Sequence, residues 1–505
     1  MESINLTFSL TGSVTITQLC RELEKLGYGS GELQTYAQAV RYHDTQDGRL
    51  FGRGLRLQQP AEGNVWYLQD ISTGDCREIE FGSEAESAEL PAAVSELVRG
   101  MRLLPWLDLQ SREKRTAIRS PGEGNFALSY RDIVFGDVLQ RDRKQKLLLL
   151  GVRGSKSAAE VAYFGTILRD LLGFQLLAGD DLEIGLQALH RPLPGAPVPD
   201  KYQVNRRDTI LKAGCKIIGR QGYIMWANTP GTAADLDPEF LHDLRVATRR
   251  ARFALRLMGP FLGESRCEDL RRELSWVASL LGKVRDLDVF LHMLDHQFPQ
   301  VNATAAVRER IEGYLKDKRK DVSGALETAL VSARYTELLE RMELIYREKD
   351  RPTGDGEAGV SAHSIAPDFI EKALAKIEKK QARDAWDFSA VQLHRLRIRF
   401  KQLRYTCEFF SDFYGQRMRK VIQSFVRFQD CLGVHQDAQV AIHNLQELAH
   451  GMEVSGRADA DVLLCIGALV QIQRDLAQTK VQEFTAIWSK FPRSVKKLRH
   501  LLVEG

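Results

Sequence analysis

The chain has 505 residues, 44% of them apolar and 27% charged, with a formal net charge of +4; this globular composition excludes a largely disordered chain and calls for two or three domains. No run reaches the ~20 apolar residues of a membrane-spanning helix, Val462 to Ile472 being too short, and Met1 to Thr11 has no basic segment ahead of an apolar core, so neither a membrane span nor a signal peptide is expected. The seven cysteines are scattered with no Cys-x-x-Cys pair, which argues against a disulfide framework or a thiolate zinc site and for a cytoplasmic protein.

In chain order, strand character appears at Ile4 to Leu10, Leu55 to Leu57, Val65 to Leu68, Phe126 to Tyr130 and Leu147 to Val152. Helices are expected around Ile16–Leu26, Ala92–Met101 and Ala158–Leu172. The segment 191–201, rich in proline, reads as a semi-rigid connector, and 349–368, broken by Pro352, Gly354, Gly356, Gly359 and Pro367, as a flexible one. The rest is rich in helix formers and reads as all-α. The working division is 1–190 as an α+β domain, then two helical segments, 202–348 and 369–505. Charge divides with it. Residues 1–190 carry 21 basic against 26 acidic side chains, and the remainder 50 against 41, or −5 against +9. This asymmetry points to a polyanionic partner for the helical part.

The helical part contains an internal duplication. Leu241-His242-Asp243-Leu244-Arg245 continues to Arg249, Arg252 and Phe253, and Leu393-His394-Arg395-Leu396-Arg397 continues to Lys401, Arg404 and Tyr405, with matched offsets. Leu281-Gly282-Lys283-Val284-Arg285-Asp286 then corresponds to Leu432-Gly433-Val434-His435-Gln436-Asp437, and the His-to-Gly spacings are 40 and 39 residues. At ~100° per residue, His242, Arg245, Arg249 and Arg252 share a sector of roughly 80°, and Arg256 extends the line by a turn. His394, Arg397, Lys401 and Arg404 form the equivalent stripe. Leu244, Ala247, Ala251, Ala254, Leu255 and Met258 occupy the opposite face. Asp237-Pro238 starts the first helix, and Ser389 with Gln392 predicts a capping box at the start of the second. A solvated helix face ordinarily mixes signs at i,i+4; a stripe of one sign repels itself unless an anion or acids from another helix neutralise it. Two readings follow, an anion site or a charged face balanced internally, and Asp286 and Asp437 are the acids placed to balance one arginine each.

With these residues the region 205–505 resembles the CHAD family, named for a conserved histidine α-helical domain. The resemblance implies a pseudo-symmetric pair of helical bundles with a basic channel that binds inorganic polyphosphate, through His242, Arg245, Arg249, Arg252, His394, Arg397, Lys401 and Arg404; Arg256 is the geometric extension. The first 190 residues resemble the CYTH fold, an antiparallel strand tunnel for triphosphates. That likeness rests on Tyr42-His43-Asp44-Thr45, Leu50, Gly52-Arg53-Gly54-Leu55-Arg56 and Trp66-Tyr67-Leu68. The chain departs where that family's chemistry would lie. Its opening Glu-x-Glu-x-Lys would fall near Ser3-Ile4-Asn5-Leu6-Thr7, Gln69 stands near a common lysine, and Leu147 to Leu150 carries no carboxylate. Metal-assisted triphosphate hydrolysis needs carboxylate oxygens, so the domain is expected to be a noncatalytic relic with no metal site and no cofactor.

Gly151 to Ser157 has the wrong glycine spacing for a phosphate-binding loop, and His292 with His296 lacks a glutamate base, so neither is taken as a catalytic motif. The leading expectation is a non-enzymatic polyphosphate-binding protein associated with polyphosphate granules. A metal-dependent inorganic triphosphatase is the alternative. Nucleic-acid binding comes third, because Phe253, Phe400 and Tyr405 are expected to pack inward rather than stack bases. The oligomeric state is left open.

Overall fold

The computed structural model describes residues 4–9, 14–80, 91–98, 100–121, 125–139, 143–154, 158–170, 173–191, 193, 201–301, 303–351, 357–381 and 388–504. Most of the proline-rich connector and of Gly354–Gly356 lie outside them. The chain divides into two compact units, Met1–Val198 and Pro199–Gly505.

The first unit follows the order β1 (Ile4–Ser9), α1 (Ile16–Lys25), β2 (Gly29–Ser30), β3 (Gln34–Asp44), β4 (Leu55–Pro60), β5 (Val65–Asp70), β6 (Cys76–Glu80), α2 (Ala92–Val98), β7 (Leu104–Arg119), β8 (Asn125–Gly136), β9 (Lys144–Gly154), α3 (Ala158–Asp170), β10 (Gln175–Leu177) and α4 (Asp181–Ala188). The strands form one antiparallel sheet in the order β10-β1-β9-β8-β7-β3-β4-β5-β6, with β2 on β7. The five expected strands and three expected helices are present, and β3 and β7, the long central pair, join them.

β7 carries no single alternation because its buried side changes along its length. Leu107, Leu109 and Ser111 are buried at one end, Thr116 and Ile118 at the other, so odd positions give way to even ones. Strand side chains alternate between faces, so one strand serves two cores on opposite sides of the sheet. One joins Ile118, Phe126, Leu128, Leu150 and Val152 to α1 and α3. On the other side α4 sits so close that a Cβ on Gly185 would come within 2.5 Å of Leu107 and 2.6 Å of Phe135. Glycine is needed there for close approach rather than for backbone freedom.

Among its described residues the second unit is built of helices, α5 (Ile210–Ala233), α6 (Pro238–Leu262), α7 (Glu264–Gln297), α8 (Ala305–Leu330), α9 (Ala333–Arg347), α10 (Ala362–Gln381), α11 (Ala390–Phe409), α12 (Ser411–Tyr414), α13 (Gln416–Val454), α14 (Ala460–Trp488) and α15 (Phe491–Glu504), with short 3-10 turns between some of them and one isolated bridge, Thr209 with Ser361. Asp237 caps α6 by accepting the Glu239 N–H at 2.7 Å, Pro238 opens its first turn, and Gly263 ends it at φ 98°. Ser389 takes the cap position of α11, but its side chain makes no capping hydrogen bond, so the expected box is not formed.

Two cores cross the sequence division. The larger joins α6 residues such as Leu244, Ala251 and Met258 to Phe400, Phe410 and Phe428 of the later segment. The other joins Phe290, Leu294 and Ile311 to Leu445, Ile466 and Leu469. Phe400 packs with Phe425, Phe428, Trp488 and Phe491, ring centroids 5.5–6.4 Å apart. No helix among the described residues is long and apolar enough to cross a membrane.

Candidate anion-binding site

Helices α6 and α11 face each other across aromatic contacts. Phe253 packs at a tilt 6.0 Å from Tyr405 and stacks 6.0 Å from Phe409. Leu244, Ala247 and Ala251 of α6 and Leu393, Leu396 and Phe400 of α11 are fully buried, which leaves the basic positions of both helices on their remaining faces. Phe253, Phe400 and Tyr405 are therefore used in packing.

Beside these rings, cations of the two stripes come within range of one another's field. Arg249 feels Arg245 from its own helix and Arg397 from α11, and burial is the larger force lowering its pKa. Lys401 is held down to about 7, first by burial, then by Arg249 and Arg397, with Arg245 adding and Asp437 opposing. Burial disfavours the ammonium first, and three arginines from two helices add to it.

The balancing acids repeat the duplication. Arg245 lies 3.6 Å from Asp286 on α7, and Arg397 lies 3.6 Å from Asp437 on α13. Burial, and repulsion from Asp437, raise the pKa of Asp286 against the pull of Arg245. Each long contact joins one arginine nitrogen to one carboxylate oxygen, without the bidentate geometry that saturates an arginine. Arg249 and Lys401 have no carboxylate within 4.0 Å among the described residues. The Nε groups of Arg249 and Arg397 are buried and lack hydrogen-bond partners among the described residues. Buried donors left in this state are a standing cost unless an acceptor arrives.

The remaining stripe residues differ in their surroundings. Arg404 is held by Glu408 at 2.6 Å, and the same carboxylate takes Arg250 at 2.6 Å, so both arginines are already engaged by one shared acid. The Nδ1 of His394 is 2.6 Å from the Gln436 carbonyl. Burial and then Arg285 lower the pKa of His242, while Glu239 and Asp243 oppose them. Arg252 and exposed Arg256 lie towards the end of α6 with Arg271, and burial and these two neighbours lower the Arg252 pKa. The tightest set is thus Arg245, Arg249, Arg397 and Lys401. Tyr405, which closes the duplicated motif, also has its ring centre 5.5 Å from the guanidinium carbons of both Arg249 and Arg250, and residue pattern alone did not single out Glu408, which divides Arg250 and Arg404 from the open set. The acid four residues after Arg404 was the available signal for Glu408.

A family model, the CHAD domain, matches residues 217–446, the span that contains both stripes and both balancing acids. Residues 217–446 are a CHAD domain. The crystal structure of the CHAD domain from the plant Ricinus communis is 26% identical, with a TM-score of 0.46, over 56% of this chain and 96% of that one. Two curated uncharacterized proteins of Mycobacterium tuberculosis are 28% identical over 270 residues, 51% of this chain; the chain spans about half, 49%, of the length of these relatives. The N-terminal part is similar to a putative adenylyl cyclase from Hippeastrum reported to have a dominant triphosphatase activity, at 14% identity and a TM-score of 0.25, over 38% of this chain and 98% of that one.

Ahead of the CHAD domain, the motif residues of the first unit have structural partners. The Asp44 carboxylate accepts the backbone N–H groups of Thr45, Leu50 and Phe51 at 2.6, 2.9 and 2.7 Å, tying down the turn that leads into β4. Burial outweighs these donors and lifts its pKa to about 6. Arg56 is buried against Asp180 at 2.6 Å and Glu183 at 3.5 Å, and Arg131 meets Asp181 at 2.7 Å, so both arginines anchor the first turn of α4. Arg41 is paired with Asp108 through two bonds of 2.6 and 3.0 Å. Leu149 and Leu150 of β9 are fully buried. These residues do not fit a divalent cation: the late strand offers leucines, Asp44 is taken up by backbone N–H groups, and Asp108, Asp180 and Asp181 are engaged by arginine. Gly151 to Gly154 end β9, and Ser3 and residues 155–157 lie outside the described residues. Elsewhere, His292 and His296 bring their Nε2 atoms to 3.2 Å, and Asp288 is paired with Arg319 instead of joining them.

Proposed function

We propose that the CHAD domain of this chain binds inorganic polyphosphate along the facing stripes of α6 and α11, as two related helical repeats with one shared basic site. The reading is carried by the meeting of Arg245, Arg249, Arg397 and Lys401 around two loosely engaged carboxylates, with buried arginine N–H groups that lack acceptors among the described residues. A condensed phosphate presents repeated oxyanions and no bases, which suits arginine forks and an ammonium rather than aromatic platforms. His242, Arg252, Arg256, His394 and Arg404 extend the track beyond the central four. Association with polyphosphate granules in the cytoplasm is part of the proposal.

Calorimetry with long-chain polyphosphate tests it. Replacing Arg245, Arg249 and Arg397 by Gln and Lys401 by Met should abolish tight binding, and the log–log salt slope should fall by roughly one for each phosphate left without its cation. Unchanged affinity in a folded variant would refute the assignment. Competition by DNA or RNA at equal salt that matches polyphosphate would replace it with nucleic-acid binding. The first unit is read as noncatalytic because Arg56 and Arg131 support α4 and the positions expected to hold metal carry no free acids. Sustained release of phosphate from tripolyphosphate with Mg²⁺ or Mn²⁺ would overturn that part.

A further inference from the structure

A second group of cations surrounds a cleft where α15 packs on α13. Arg493 and Lys497, four residues apart, share one side of α15, and Lys490 stands in the turn just before its first residue, Phe491. With Arg427 of α13 they line a cleft of about 250 Å³ that includes no stripe residue. Among the described residues none of the four has a carboxylate within 4.0 Å. This is not the general habit of α15: Arg499, on the same helix, is held by Glu371 and Glu378.

The cleft also contains a buried polar group. Ser494 is 1% exposed yet lines the cavity, and its hydroxyl has only a long 3.4 Å contact with the Ser424 carbonyl. The first turn of α15 ends at the same place, so the helix dipole adds to the positive field. The volume falls below the roughly 300 Å³ at which pockets for drug-sized organic ligands begin, which favours a small, highly charged anion.

We propose that this cleft is a second oxyanion site that takes a short inorganic oligophosphate, held by Arg427, Lys490, Arg493 and Lys497 with the Ser494 hydroxyl donating from the wall. The site stands whether or not the stripes bind polyphosphate. Its ligand has one chemistry and two sources, a free oligophosphate or the end of a longer polymer reaching past the stripes.

The experiment titrates the full chain with tripolyphosphate and, separately, with long-chain polyphosphate. The stripe variant, with Arg245, Arg249 and Arg397 changed to Gln and Lys401 to Met, should keep a saturable one-to-one site for tripolyphosphate. Arg427→Ala, Arg493→Ala and Lys497→Ala together should weaken that site by roughly tenfold or more. A control removing three exposed cations elsewhere, Lys320→Ala, Lys372→Ala and Arg474→Ala, should leave it unchanged and exclude a net-charge effect. Loss of long-chain binding alone in the cleft variant would assign the site to the polymer end. Equal tripolyphosphate affinity in the cleft variant and the control, or no tripolyphosphate binding by a folded stripe variant, overturns the proposal.

Discussion

Lys401 should control how the site responds to pH. Its amine faces Arg249 and Arg245 of α6, Arg397 of its own helix and Asp437 of α13, and burial with these charges places its pKa at about 7. A bound polyanion favours the ammonium, so binding takes up a proton wherever the free lysine is neutral. Affinity should therefore rise as pH falls through about 7 and level off below it. For one proton the limit is tenfold, about 1.4 kcal/mol, per pH unit above that value. The amine is part-exposed, and screening trims the effect to about three- to fivefold between pH 6.5 and 8. His242, whose pKa is held low by burial and Arg285, adds in the same direction at lower pH. In the ligand-free chain the same lysine acts on folding with the opposite sense: its depressed pKa makes stability grow as pH rises from about 7 towards the unfolded value near ~10.4. Lys401→Arg keeps a cation at every pH and should flatten the affinity profile above 7. Calorimetry in buffers of different ionisation heat, from pH 6 to 9, counts the protons directly. No proton uptake by the native chain at pH 8, or an undiminished slope in Lys401→Arg, would refute the reasoning.

Two further outcomes follow from the same geometry. Changing Asp286 and Asp437 together to Asn releases Arg245 and Arg397 from their 3.6 Å contacts, and polyphosphate affinity at low salt should rise about three- to tenfold; a fall in affinity, measured by the same titration, would mean that the acids orient the arginines rather than compete for them. Asp44→Ala strands the three backbone N–H groups of Thr45, Leu50 and Phe51 and should destabilise the first unit by about 2–3 kcal/mol, read as a lowered calorimetric transition.

The stripes were legible because helical period and repeated sign are both properties of sequence, and the balancing role of Asp286 and Asp437 followed from matched offsets. How far each cation is neutralised was not. Arg404 and Lys401 occupy the same face of α11, one turn apart, yet Glu408 engages the first while three arginines crowd the second. Glu408 is encoded by its place four residues after Arg404, whereas the crowding of Lys401 depends on what α6 presents across the gap, which no spacing along α11 encodes. β7 was illegible for a related reason: its apolar alternation changes phase where the sheet exchanges one core for the other, so no single period describes it. The basic cleft at α15 had a visible spacing, but an exposed lysine–arginine run is ordinary on a helix until the absence of nearby acids is known.

Placing two like-charged helix faces together is unfavourable in itself, and the fold must supply the opposing force. It does so through aromatic packing on neighbouring positions. Phe253 wedges between Tyr405 and Phe409, and Phe400 sits in a group with Phe425, Phe428, Trp488 and Phe491. A fully buried phenylalanine contributes on the order of 1.5–3 kcal/mol by area alone; the Phe253 contacts hold α6 to α11, and the Phe400 group holds α11 to α13, α14 and α15, against repulsion that solvent partly screens. The loose Arg–Asp contacts then serve a second purpose. Strong bidentate pairs would relieve the repulsion but would leave an incoming phosphate with pairs to break, whereas separations of 3.6 Å relieve part of it and leave arginine donors available. The duplication makes this compromise twice over, so one geometric solution, reached on α6 with α7 and again on α11 with α13, gives both walls of the proposed anion site.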